Sequence, residues 1–120
     1  AHARACSVLR QAGEDAAAEV AMDRLDHPAE MDVLRHLASW PKLVISAANA
    51  HEPHRIAFFL MDLAASFHAL WTAGREAPEL RFIREDDAAL TAARLRLVKA
   101  TALVIRSGLG VLAIEAREEM

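Results

Sequence analysis

Cysteine is nearly missing from this chain, tyrosine is entirely missing, and glycine and proline occur only four times each in 120 residues. The single thiol, Cys6, excludes an internal disulfide framework and suits a reducing compartment. Aromatic residues make up only 5% of the sequence, and no stretch alternates apolar and polar residues as a half-buried strand does. Positive charge is not in excess either: 14 Lys and Arg stand against 17 Asp and Glu, for a net charge of −3. That balance excludes a protein that coats nucleic acid through a broad basic surface, so any such contact must be local and specific. No apolar run approaches the roughly 18 residues of a membrane span. The longest candidate, residues 56–70, is interrupted by Asp62, Ser66 and His68. A secretory signal, a P-loop, a dinucleotide fingerprint and an initiator Met are also missing. The chain opens AHARACSVLRQA, already in helical rhythm, and so reads as a piece of something longer.

What remains is a helix-forming mixture. Hydrophobic residues reach 54%, Ala leads, and Leu, Arg and Glu are abundant. The stretch EPHRIAFFLMDLAASFHALW, residues 52–71, repeats apolar side chains at three- and four-residue steps through Ile56, Phe59, Leu60, Leu63, Phe67, Leu70 and Trp71. It holds three of the four Phe and one of the two Trp, so it is expected to be the central helix, opened by Pro53 and stopped by Gly74. Residues 1–12 predict a helix ended by Gly13, and residues 15–22 a short acidic one. Pro28 and Pro41 each sit where a first turn tolerates proline, which predicts two separate helices over residues 28–39 and 41–50. Residues 72–86 read as a loop pinned by Leu80, Phe82 and Ile83. Asp86 or Asp87 then caps a helix over residues 88–107, which Gly108 and Gly110 punctuate before Leu109, Val111, Leu112 and Ile114 return the chain to the core. The expected fold is all-α, a single bundle of five or six helices, with Phe59, Leu63, Phe67, Leu97, Val98 and Val104 buried together.

Few residues suggest chemistry. His51 and His54 straddle Glu52-Pro53, and His68 stands apart, so the six histidines lack metal-ligand spacing. Cys6 has Arg4 and Arg10 nearby, yet no base or oxyanion site can be named beside it, and it reads as inert. Asp86-Asp87 and Glu118-Glu119 belong to a helix cap and a tail. Arg75, Arg81, Arg84, Arg94, Arg96, Lys99 and Arg106 read as a solvated face balancing the acidic residues 14–32; the sharper alternative is a phosphate-contacting edge beside Trp71.

Three segments carry a resemblance to a known family. The opening AHAR-ACS is similar to a YAHAR-x-x-S segment, and residues 26–64, from DHPAEMD to FFLMDLA, match a run of short helices in order and spacing. The closing LTAARLRLVKATALVIRSGLGVLAIEAREEM, ending on Met, resembles that family's last segment. Together they resemble the α-helical anticodon-binding (DALR) domain of bacterial arginyl-tRNA synthetases. The EPH and terminal-Met patterns fit that family better than the related cysteinyl enzymes. The name-giving Asp-Ala-Leu-Arg string is replaced here by Ala92-Ala93-Arg94-Leu95, Trp71 stands where Tyr is common, and Ala113-Ile114 where Gly-Ile is common.

The resemblance implies that residues 1–120 are one anticodon-binding domain, the C-terminal fragment of a longer ligase. The missing catalytic domain of that ligase would attach arginine to its tRNA using ATP with Mg, leaving this fragment inert and without a cofactor of its own. It implies Arg4, Trp71 and Met120, with His68 more weakly, as contacts to anticodon bases, gathered at one end of the bundle. The expected partners are an arginine-accepting tRNA and the catalytic domain of the same chain, in a cytoplasmic monomer that does not contact a membrane. The competing reading is a helical module that binds a partner protein through an apolar groove and has no RNA affinity.

Overall fold

In the computed structural model, residues 1–12 and 24–112 are described. Of the four helices in order, α1 (His2–Ala12) lies mainly on α4 (Ala88–Val111), and α2 (Pro28–Asn49) mainly on the central helix, α3 (His54–Glu76). Its repeating apolar positions become the core: Leu63 and Phe67 are completely buried, and Ile56, Phe59, Leu60 and Leu70 nearly so. Each such side chain is worth roughly 1.5–3 kcal/mol relative to exposure, before chain entropy is counted. By length and composition α3 could also cross a membrane, but Ile56, Phe59, Leu60, Leu63, Phe67 and Leu70 are buried in the core. The described residues contain four α-helices and a short 3-10 turn at Pro78–Leu80, fewer than the five or six expected, and no strand.

The difference in number comes from Pro41. It lies inside α2, where two helices were expected. An interior proline deletes one backbone hydrogen bond and crowds the carbonyl four residues earlier, a cost of about 3 kcal/mol or more. Burial on both sides of Pro41 offsets it. Val33 and Ala47 are buried, Leu34, Leu37, Trp40 and Leu43 lean on the core, and the Trp40 ring stacks on Phe59 with centroids 5.4 Å apart. One continuous helix keeps this row of side chains against the core on both sides of Pro41.

Two glycines also act otherwise than expected. Gly74 does not stop α3, which runs two residues beyond it to Glu76. A Cβ at Gly74 would lie 3.1 Å from the Leu80 carbonyl oxygen and 3.3 Å from Arg81 Cα, so its bareness is what lets the following chain cross the helix end. Gly108 lies within α4, where a Cβ would come 2.8 Å from a Leu60 methyl. Both are contact glycines rather than terminators.

Helices α2 and α3 form an antiparallel hairpin, tied by Arg55 to Ser46 near the turn and by Ser66 to Asp32 at the far end. His27 caps α2 by accepting from the Ala29 amide, and Asp87 caps α4 by accepting from the Leu90 amide. Arg24 also pairs with Asp87. The central apolar set is buried as expected at Phe59, Leu63, Phe67, Leu97 and Val98, whereas Val104 is only partly covered. Leu109 and Leu112 lean on the core, but Val111 is exposed, and residues 109–111 still belong to α4 instead of folding back. The short helix expected over residues 15–22, Ile114 and the charged tail ending at Met120 lie outside the described residues.

Candidate nucleic-acid interface

The connection between α3 and α4, residues 77–87, is irregular in backbone yet held at many points. Arg94, expected to be among the exposed basic residues, is buried at 4% exposure and turned inward. Its Nη1 donates to the carbonyl oxygens of Glu79 and Arg81, each at 2.8 Å, while its Nε donates to Glu30 at 3.2 Å. A fully buried guanidinium needs such a carboxylate. Removing one partner of a buried pair costs about 3–5 kcal/mol, because the other charge is stranded. Phe82 lays its ring nearly parallel on Phe67, centroids 5.7 Å apart. The Thr91 hydroxyl accepts from the Arg84 amide and donates to the Arg84 carbonyl, both at 2.8 Å. The connection is therefore a wall rather than a loose strap.

Against the end of α3 beside this wall stands Trp71, partly exposed. The Arg4 guanidinium, projecting from α1, lies over its indole with the central carbon 3.9 Å from the ring centroid. Cation–π attraction at this distance is worth about 0.5–1 kcal/mol at an exposed site. A second tie fixes Arg4: its Nη1 donates to His68 Nδ1 at 2.9 Å. That bond requires an unprotonated Nδ1 on His68. Consistent with this, burial pushes the His68 pKa below its ordinary 6.5, and the positive charges of the chain's amino group and of Arg4 push it the same way. His68 and Trp71 are three residues apart on α3, so both reach the same guanidinium from one helix face.

Three of the four residues singled out from the sequence, Arg4, His68 and Trp71, thus form one contact set. Met120 lies outside the described residues. The route differs from the expected antiparallel pairing of α1 with α3. α1 lies principally against α4 and reaches α3 through side chains such as Arg4. Arg75 also belongs to the set, its guanidinium 5.0 Å from the Trp71 centroid. The four-residue spacing from Trp71 to Arg75 was the available signal for it, since such pairs share a helix face.

The remaining candidates stay apart from this set. Cys6 Sγ is 3.8 Å from His2 Nδ1, four residues back on α1, a weak contact with no oxyanion-binding group identified beside it. Among the described residues no three His, Cys, Asp or Glu side chains are grouped to hold a metal ion. His51, in the turn between α2 and α3, adopts a left-handed conformation with φ 55°, while His54 sits edge-on against Phe58.

An all-α domain whose one end presents a tryptophan with a guanidinium laid on it has the form of a helical binding domain. The family model described as the DALR anticodon binding domain matches residues 1–120, and the chain belongs to that family. It is 51% identical to an arginine–tRNA ligase of Xanthobacter autotrophicus across 100% of this chain. It is also 51% identical to one of Nitrobacter hamburgensis, across 99%, and to one of Rhodospirillum rubrum, across 100%. In each case the chain spans only 22% of the relative's length. No solved structure matches it.

Proposed function

We propose that this chain is the part of an arginine–tRNA ligase that holds the anticodon loop of its tRNA. The observation that carries the reading is the Arg4–Trp71 stack anchored by His68. Single-stranded RNA is read by splaying out bases and stacking them on aromatic rings or guanidinium planes, with polar groups reading the base edges. A guanidinium already lying on an indole offers its outer face to a base, so an incoming base extends the pile. The free N–H groups of Arg4 then point along its edge. Met120 is the further contact in this reading, an adaptable thioether closing over the base.

The domain does not itself carry out ligation in this account. Activation of arginine with ATP and Mg, and its transfer to tRNA, belong to the rest of the longer enzyme, which is a partner of this domain in a cytoplasmic monomer. The net charge of −3 fits a local grip better than a broad electrostatic one.

One observation favours the competing reading of a protein-interaction module: Phe58 and Met61, neighbours on α3, are 60% and 67% exposed. Titration of the labelled chain with an arginine-tRNA anticodon stem-loop, beside a stem-loop of scrambled loop sequence, separates the two. Tighter binding of the matched loop supports the anticodon reading. Equal responses remove its specificity, and no binding at all favours the interaction module.

A further inference from the structure

Beyond Trp71 the surface continues into an open groove of about 950 Å³ between α1, the end of α3 and the connection to α4. Val8, Pro78, Phe82 and Ile83 contribute its apolar part, and Trp71 and Arg75 are shared with the stack described above. Its volume lies in the range of clefts that hold a small ligand. Three guanidinium groups, Arg75, Arg81 and Arg84, and three carboxylates, Glu79, Glu85 and Asp86, surround it. The groove therefore does not attract a polyanion by net charge.

The arginines are not equivalent, however. Arg84 is committed to Asp86, with Nε and Nη2 donating to the two carboxylate oxygens at 3.1 and 2.6 Å. Arg75 and Arg81 are exposed and have no ion-pair partner among the described residues; the Arg75 guanidinium lies 5.0 Å from the Trp71 ring centroid. Nor is Arg81 on a loose segment. Its carbonyl is held by Arg94, the backbone before it is pressed against Gly74, and the next residue, Phe82, is stacked on Phe67. A charge-bearing side chain on a braced wall, next to an aromatic platform, is placed for ligand contact rather than for stability.

We infer that Arg81, with Arg75, grips the backbone phosphate adjoining the base that stacks on Arg4–Trp71, so that this groove carries the single-stranded RNA onward from the stack. The inference rests on the anticodon-loop reading of Trp71 and adds a second, sequence-independent contact. The occupant is a phosphodiester because the groove joins the stack directly. Its two uncommitted cations also suit one phosphate, whereas the balanced rim would not hold a long anionic run.

The test is binding of the 120-residue chain to the labelled arginine-tRNA anticodon stem-loop over a salt series, for wild type, Arg81→Gln, Arg81→Lys and Arg84→Gln. Circular dichroism establishes equal folding, since the bond from Arg94 goes to the Arg81 backbone and survives substitution. Arg81→Gln is expected to weaken binding about fivefold at ~0.1 M salt and to lower the log K against log salt slope by about 0.7, the value for one phosphate on a single strand. Preference for the matched over the scrambled loop should stay unchanged, and Arg81→Lys and Arg84→Gln should keep the wild-type slope. Wild-type affinity and slope in Arg81→Gln would overturn this inference while leaving the stacking reading intact, and a slope lost equally in Arg81→Lys would overturn the charge contact. A wild-type chain without saturable, loop-selective binding would overturn the stacking reading itself, and this inference with it.

Discussion

His68 is half-buried, and its Nδ1 accepts the hydrogen bond that ties down the Arg4 guanidinium over Trp71. That role has a consequence for pH. The folded pKa of His68 is depressed below the 6.5 of a free imidazole. Above that value the folded and unfolded chains are both neutral at this position, and the shift contributes nothing. As pH falls through 6.5 the unfolded chain takes up the proton first, so stability is lost between 6.5 and the lower folded value. Protonation also replaces an acceptor by a second cation facing Arg4. Thermal unfolding at pH 7.5 and 5.5 is expected to show a larger drop for the wild type than for His68→Gln, which keeps an acceptor that does not titrate. Equal drops would show that His68 is not coupled to the fold in this way.

At the scale of elements, the irregularities of the sequence had to be read against neighbours it does not display. The periodicity of α3, the cap at Asp87 and the buried Phe82 were legible, because each follows from spacing or cap chemistry; Arg4 and Trp71 came from the family resemblance, and the packing that brings them together is not the one expected. Pro41, Gly74 and Gly108 were misread as punctuation for one common reason. A proline or glycine looks the same in sequence whether it ends a helix or is kept within one by a contact elsewhere in the chain, as Gly74 is by Leu80 and Gly108 by Leu60. Arg94 was hidden likewise, since its partner Glu30 is 64 residues distant.

These misreadings give two expectations. Pro41 is exposed, with nothing visible in its favour, so Pro41→Ala should restore a helical hydrogen bond and stabilise the fold by about 1–2 kcal/mol in urea unfolding. A destabilised variant would mean that the proline shapes the α2–α3 contact. Helix propensity alone favours Ala over Gly by up to about 1 kcal/mol. Gly110→Ala has open space around its Cβ and should realise part of that gain. Gly74→Ala meets backbone at 3.1 Å and should realise none, losing stability instead. If both substitutions stabilise equally, the close crossing at Gly74 is wrong.

At the scale of the whole molecule, two properties that pull apart in the sequence become compatible. The domain is acidic overall, yet one end of it combines a tryptophan, a stacked guanidinium and two further uncommitted arginines. In the proposed reading such an arrangement selects a short, unstacked piece of RNA over a duplex. Stacking of one base is worth roughly 1–3 kcal/mol, and this places the expected loss in Trp71→Ala at about tenfold or more.

The direct measurement is the fluorescence of Trp71 itself. Trp40→Phe preserves an aromatic ring against Phe59 and leaves Trp71 as the only tryptophan emitter. Titrating that variant with the matched anticodon stem-loop should quench Trp71 emission to saturation, and the scrambled loop should require at least about tenfold more RNA for the same effect. Tight, loop-selective binding with Trp71 emission unchanged would contradict the account, because the base would then be held somewhere other than on Arg4 and Trp71.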